Sequence, residues 1–298
     1  MRYKLALLCT AFLIPVASST PALSIDTVVS LTVPRARIPG TGTGSVIQRF
    51  ILLDLGDISA LDIENPIEAK GVLVLFPGAA GRLGIGDGEL GIGQANLLVR
   101  TRHYFAAQGF HVAVMDAATD FLTRPNQEGL GDDRTSTQHM QDIAVVINHL
   151  RGRFPGLPIW VVGTSRGSIS AANAAAVLTG SAAPDGLVLI SSVTRRTGPN
   201  NDRESLDDVP LHNIGVPSLV AAHKDDACRG SPPEDAVPLF QVLKKRDNRS
   251  RIRFFEGGFA PLDEACDPLS PHGFFGIEAE VVRHIGSHVR TVISGESP

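Results

Sequence analysis

Little in this sequence points to a partner of opposite charge. Its 298 residues carry 27 Lys and Arg against 31 Asp and Glu, a formal charge of -4, and that balance provides no electrostatic footprint for nucleic acid or an anionic membrane surface. The 30 glycines and 20 prolines recur at no fixed period, which excludes collagen, heptad and solenoid architectures. No low-complexity linker divides the chain. Cysteine is scarce, at three residues. The composition that remains, 43% hydrophobic and 19% charged, is ordinary for a globular protein able to bury a sizeable core.

The first two dozen residues stand apart from the rest. Arg2 and Lys4 precede an apolar run from Leu5 to Val16, and the small residues Ala17, Ser18 and Ser19 follow it. That is the pattern of a secretory signal peptide, with cleavage expected between Ala17 and Ser24. The run is far short of the ~20 residues that span a bilayer, so residues 1–24 are read as a cleaved signal and not as a stable membrane anchor. Cys9 leaves with it. Cys228 and Cys266 then form an even pair in an exported protein, periplasmic or secreted, which predicts a disulfide.

Beyond the signal, β-rich stretches alternate with helical ones in the manner of a mostly parallel sheet with helices on both faces. Eight strands are expected. The first two, around Thr27–Val33 and Ser45–Leu53, have no helix between them and should pair antiparallel at the sheet edge. Val72–Phe76, Val112–Met115, Ile159–Val162, Leu187–Ser191, Ser218–Ala222 and Ile252–Phe255 are near-continuous apolar runs, as expected of strands buried on both faces. Helices are expected at Gln94–Gln108, Thr137–Arg153, Ser168–Leu178, Pro233–Lys245 and Phe274–Arg290. No intervening stretch is long enough for a large cap, and residues 25–298 are read as one α/β domain.

The most informative segment is Pro158–Ser168, in which a buried strand runs directly into Gly163–Thr164–Ser165–Arg166–Gly167 and then a helix of small residues. Gly-x-Ser-x-Gly in that context is a nucleophile elbow: the serine sits on a strained strand-to-helix turn, and the positions two before and two after it must lack bulk. A serine hydroxyl is a poor nucleophile at neutral pH and needs a histidine base that is itself oriented by a carboxylate. In proteins built around such an elbow the chain order runs serine, acid, histidine. The strand Ser218–Ala222 ends in His223–Lys224–Asp225–Asp226, at the edge where open α/β sheets bind ligands, so Asp225 or Asp226 is the expected acid. After the last strand, Ser270–Pro271–His272–Gly273–Phe274 presents His272 as the expected base, with His223 a weaker candidate. A tetrahedral oxyanion requires two preorganised N–H donors. Arg166, directly after the nucleophile, supplies the first, and the turn Pro77–Gly78–Ala79–Ala80–Gly81 supplies the second through Ala79, with Gly78 or Ala80 as alternatives.

With these residues in place the chain resembles the α/β-hydrolase fold superfamily, in particular its exported bacterial serine hydrolases. The resemblance runs from about residue 26 to 290. It implies the α/β-hydrolase fold, and an acid two residues before a cysteine is familiar in such proteins, which selects Asp226 over Asp225. It also implies hydrolase chemistry without naming a substrate, and the reading taken is an acyl-enzyme mechanism on carboxylic esters by Ser165, His272 and Asp226, with a small-molecule substrate, no cofactor and no metal. A peptidase or amidase could use the same three residues, and a non-catalytic exported binding protein could keep the same fold. A Cys228–Cys266 bridge would tie the acid loop to the histidine loop.

Three further features invite other readings. The glycine cluster Gly84–Gly93 lacks the lysine and hydroxyl residue of a phosphate-binding P-loop and is read as a mobile loop beside the pocket. Asp116–Asp120, at the carboxyl end of the fourth strand, is read as a hydrogen-bonded loop anchor in preference to a metal site. Arg134 and Arg166 are read as solvated arginines in preference to contacts for a substrate carboxylate.

Overall fold

A computed structural model of the protein describes residues 26–35, 44–56, 68–85, 90–91, 93–124 and 129–296. The expected signal segment, 1–24, and the middle of the Gly84–Gly93 cluster lie outside the described residues. Among the described residues eight strands build a single sheet in the order β1-β2-β4-β3-β5-β6-β7-β8: β1 (Asp26–Pro34), β2 (Ser45–Leu53), β3 (Gly71–Phe76), β4 (Phe110–Met115), β5 (Ile159–Thr164), β6 (Gly186–Ile190), β7 (Ser218–His223) and β8 (Arg251–Phe255). As the turn region between them suggested, β1 and β2 pair antiparallel at one edge. β2 also runs antiparallel to β4, and every pairing from β4 onward is parallel.

The alternation of side chains along each strand divides the core into two layers. Val72, Val74 and Phe76 of β3 and Ile159 and Val161 of β5 face one side. There they meet α4 (Thr137–Arg153), α5 (Gly167–Val177) and α6 (Ala236–Lys244), through Ile143, Val146 and Leu150, Ile169 and Ala172, and Leu239 and Leu243 respectively. Leu73, Leu75, Trp160 and Val162 face the other side. Their partners are α1 (Leu97–Arg100), α2 (Arg102–Ala106) and α7 (Glu278–Ile293), which contribute Leu98, Phe105, Val281, Ile285 and Val289. α5 is almost wholly buried because its Gly, Ser and Ala residues let it lie close against the sheet. Among the described residues no connection builds a separate cap.

Several elements differ from expectation, each for a local reason. The helix expected over Gln94–Gln108 breaks in two at Thr101, whose buried hydroxyl donates to the Leu97 carbonyl at 2.6 Å and competes with the helical ladder. The helix expected from Phe274 starts four residues later, because Phe274 takes a left-handed conformation, φ +56°, after the tight turn Pro271–Gly273. Pro233–Asp235 forms a 3-10 turn before α6. A short helix, α3 (Thr119–Leu122), follows β4 and has no counterpart among the expected elements. β8 is not buried on both faces as a central strand would be: as the edge strand it keeps only Phe255 fully covered.

Candidate active site

Ser165 stands at the carboxyl tip of β5 with φ +52°, a left-handed backbone that a residue with a side chain adopts only under constraint. The constraint is steric. A Cβ on Gly163 would come within 2.3 Å of the Gly167 carbonyl oxygen, and one on Gly167 within 2.0 Å of the Phe76 oxygen. Strand, turn and helix therefore approach more closely than any side chain permits. The Ser165 N–H donates to the Ile190 carbonyl at 2.9 Å and its own carbonyl accepts from Ser168 N–H at 2.9 Å, which locks the turn to the next strand and to the start of α5.

The loop after β7 separates the two acid candidates. Asp225 is exposed, whereas Asp226 is buried and its Oδ2 lies 2.9 Å from His272 Nδ1. Its other oxygen, Oδ1, accepts the Cys228 N–H at 2.9 Å. Ser231, which sequence reasoning missed, donates its hydroxyl to Asp226 Oδ2 at 3.1 Å and stands 3.0 Å from the same ring nitrogen. Only a serine five residues past the acid hints at it in the sequence. His223, the weaker base candidate, has both nitrogens engaged: Nδ1 accepts from Asp225 N–H at 3.1 Å and Nε2 lies 3.0 Å from the Gly257 carbonyl.

His272 is presented on the turn Pro271–Gly273, which Ser270 caps by accepting the His272 N–H at 3.2 Å. The Ser191 hydroxyl donates to the His272 carbonyl at 2.8 Å, and a Cβ on Gly273 would lie 1.9 Å from the Pro268 oxygen. The ring is 3% exposed, yet its Nε2 has no hydrogen-bond partner among the described residues. His272 and Ser165 line the same cavity, about 290 Å³, together with the Pro77–Leu83 turn, Asn96, Leu97 and Pro268. A larger hollow of about 730 Å³ also touches Ser165 and Ala79 and extends past Arg166, Arg203, Arg229 and Glu264.

The Pro77–Gly81 turn comes up against the serine: a Cβ on Gly78 would lie 2.8 Å from Ser165 Cβ. Ala79 follows at φ +50°. Among the described residues no carbonyl takes the N–H of Ala79 or Arg166. Arg134 departs from the expectation of a solvated arginine. It is fully buried, and burial, reinforced by the charge of Arg166, pulls its guanidinium down to about 9. Arg166 bonds to Asp132 and to the Gly131 carbonyl. Behind them burial and the nearby arginines hold His139 down at about 3, so it is neutral.

Cys228 and Cys266 are joined in a disulfide, 38 positions apart in sequence. Asp226, Cys228 and His272 could by distance gather a metal ion, but the sulfur is committed to the bridge and the carboxylate to the imidazole, which is a poor donor set. The Asp116 carboxylate anchors a loop: Oδ1 accepts from Leu83 N–H at 2.7 Å and Ala117 N–H at 2.8 Å, and Oδ2 from Ile85 N–H at 3.2 Å. Burial nonetheless raises its pKa, those hydrogen bonds opposing the shift.

No family model and no curated protein matches the chain. Solved structures do. The esterase Pf2001 of Pyrococcus furiosus superposes with a TM-score of 0.57 at 11% identity, over 89% of this chain and 92% of that one. XC6422 from Xanthomonas campestris, described as an α/β serine hydrolase without a lid, gives 0.51 at 15% identity over 88% and 93%. Esterase 2 of Thermogutta terrifontis, in its paraoxon-phosphorylated form, gives 0.55 at 15% identity over 90% and 96%. The chain has the α/β-hydrolase fold.

Proposed function

We propose that this protein is a cofactor-independent serine hydrolase of carboxylic esters. The observation that carries the reading is a buried imidazole with one nitrogen 2.9 Å from the Asp226 carboxylate and the other unpartnered, in the cavity that Ser165 also lines. In this reading Asp226 holds Nδ1–H and so fixes the tautomer in which Nε2 accepts a proton. Ser165 Oγ attacks the ester carbonyl as Nε2 takes the hydroxyl proton. The N–H groups of Ala79 and Arg166 receive the oxyanion, and the imidazolium, stabilised by Asp226, returns the proton to the departing alcohol. Water then enters by the same route and releases the acid from the acyl-enzyme. The cavity of about 290 Å³ favours a small acyl or alcohol group, and the fold's occurrence in esterases such as those above supports ester over amide. We further propose a single exported domain, a reading supported by the disulfide and by its rarity in reducing compartments.

The test is the mass shift of the purified protein after fluorophosphonate treatment, with Ser165→Ala as control, alongside hydrolysis of short-chain p-nitrophenyl esters. One adduct on Ser165 together with turnover is the expected result. A folded protein that neither labels nor turns over refutes the mechanism.

A further inference from the structure

Arg134 lies in the segment before α4 and reaches beneath the Pro77–Gly81 turn. Its Nη2 donates to the Pro77 carbonyl at 3.2 Å and to the Ala79 carbonyl at 2.9 Å, and Nη1 donates to Ser170 Oγ at 3.0 Å. All three acceptors are neutral. The nearby carboxylates are occupied elsewhere: Glu204 accepts the N–H groups of Arg134 and Thr135 at 2.8 and 3.1 Å, and Asp132 is held by Arg166. Gly81 makes the space, since a Cβ there would lie 2.9 Å from Nη2. A fully buried cation whose guanidinium bonds only to neutral oxygens is a poor source of stability, so its place under this turn calls for another use.

The carbonyl and N–H of one peptide point in opposite directions. The grip of Arg134 on the Pro77 and Ala79 oxygens therefore fixes the planes of the Pro77–Gly78 and Ala79–Ala80 peptides. The peptide between them is fixed by Gly81 N–H donating to the Gly78 carbonyl at 3.0 Å, which turns Ala79 N–H the other way. Three consecutive planes are set, and the strained φ of Ala79, +50°, is held inside them.

We propose that Arg134 is the positioning residue of the oxyanion hole: it clamps the Pro77 and Ala79 carbonyls so that Ala79 N–H stays aimed at the charge developing on the substrate oxygen. This rests on the serine-hydrolase reading of the same site. With a pKa of about 9 the guanidinium stays charged at neutral pH; the peptides it bonds carry the Gly78 and Ala80 N–H groups, so it acts on Ala79 N–H by fixing the planes on either side of it. Such a residue acts on the transition state and not on substrate binding.

The experiment compares Arg134→Gln, Arg134→Lys and Ser170→Ala with the wild type on p-nitrophenyl acetate. It also measures the inhibition constant of a trifluoromethyl ketone, which forms a tetrahedral oxyanion adduct, and confirms folding by circular dichroism. Removing one oxyanion donor costs about a hundred- to a thousandfold in kcat. Arg134→Gln is expected to lose about a hundredfold in kcat with KM near the wild-type value, and ketone affinity should fall by the factor lost from kcat/KM. Arg134→Lys, which keeps the charge but has no second nitrogen to hold Ser170 while the first bonds the carbonyls, should fall between, and Ser170→Ala should show a smaller loss with the same split. If Arg134→Gln does not fold, the other two variants decide. Folded variants with wild-type kcat and ketone affinity overturn the proposal. A wild type that neither turns over ester nor labels at Ser165 overturns the underlying reading instead.

Discussion

Removing the Cys228–Cys266 bridge should cost both stability and turnover, and the two losses are separable. The bridged residues are 38 positions apart, and in the loop-entropy account closing a loop of that length removes about 4 kcal/mol of unfolded-state freedom. A chain of this size shifts its melting temperature by about 2 °C per kcal/mol, so the Cys228→Ser/Cys266→Ser protein should melt about 8 °C lower. The single tryptophan, Trp160, is 1% exposed in the middle of the sheet and reports that transition by its fluorescence. The bridge also has a local consequence. Cys228 donates its N–H to Asp226 Oδ1, and Cys266 is four residues before Ser270, the cap of the His272 turn; without the bond the two loops can drift relative to one another. A several-fold fall in kcat for p-nitrophenyl acetate well below the melting temperature is therefore expected, and treating the native protein with a thiol reductant should reproduce it. A melting shift under about 2 °C would refute the loop-entropy magnitude. An unchanged kcat in the folded, bridge-free protein would refute the idea that the bond aligns acid and base.

The remaining predictions concern smaller perturbations. Ser231→Ala removes a buried hydroxyl that bonds the Asp226 carboxylate and abuts His272 Nδ1; a hydrogen bond to a charged group is worth about 1.5–3 kcal/mol, so kcat should drop about tenfold or more with KM unchanged, and an unchanged kcat refutes the contact's role. His288 is held down at about 4 from 6.5, first by burial and then by the charges of His284 and Arg251. Because its folded pKa lies below the unfolded one, the unfolded chain binds the extra proton between pH 6.5 and 4. Its neutral-form stability is therefore full above that window and lost as pH falls through it, by up to about 3 kcal/mol. Urea unfolding at pH 7 and 4.5 should show His288→Phe losing less than the wild type, with a residual loss from His139, and equal losses would refute the assignment.

The fold was legible because its strands are short apolar runs with turn residues between them, and buried parallel strands need little else to be recognised. Their observed bounds depart from the expected ones by at most two residues. Helices were harder to delimit, because helix ends are set by particular hydrogen bonds and dihedrals. Thr101 looks like any helical threonine until its hydroxyl is seen on the Leu97 carbonyl, and the late start of α7 follows from one left-handed residue, Phe274. The position of β4 between β2 and β3 is a property of the sheet as a whole, and no local pattern in residues 110–115 announces it.

The site divides along a similar line. Ser165, Asp226 and His272, the proposed nucleophile, acid and base, carry recognisable chemistry in the segments that follow β5, β7 and β8, so they could be proposed one by one; the elbow's two glycines even state which backbone approach they permit. Arg134 could not be read correctly. In sequence it is an arginine in a polar loop, Asp132–Asp133–Arg134–Thr135, and arginines in such surroundings are mostly exposed. Its burial depends on Gly81, more than fifty positions away, leaving room for the guanidinium, and on Glu204 drawing the Arg134 backbone inward from the opposite direction in the chain. Ser231 and Ser170 are hidden for the same reason: each is defined by what a distant loop places beside it. The proposed nucleophile, base and acid are specified by residue type and position along the chain, whereas the groups placed to aim them are specified by tertiary neighbours. Those aiming groups are where substitutions would alter kcat without touching any residue that a sequence motif identifies.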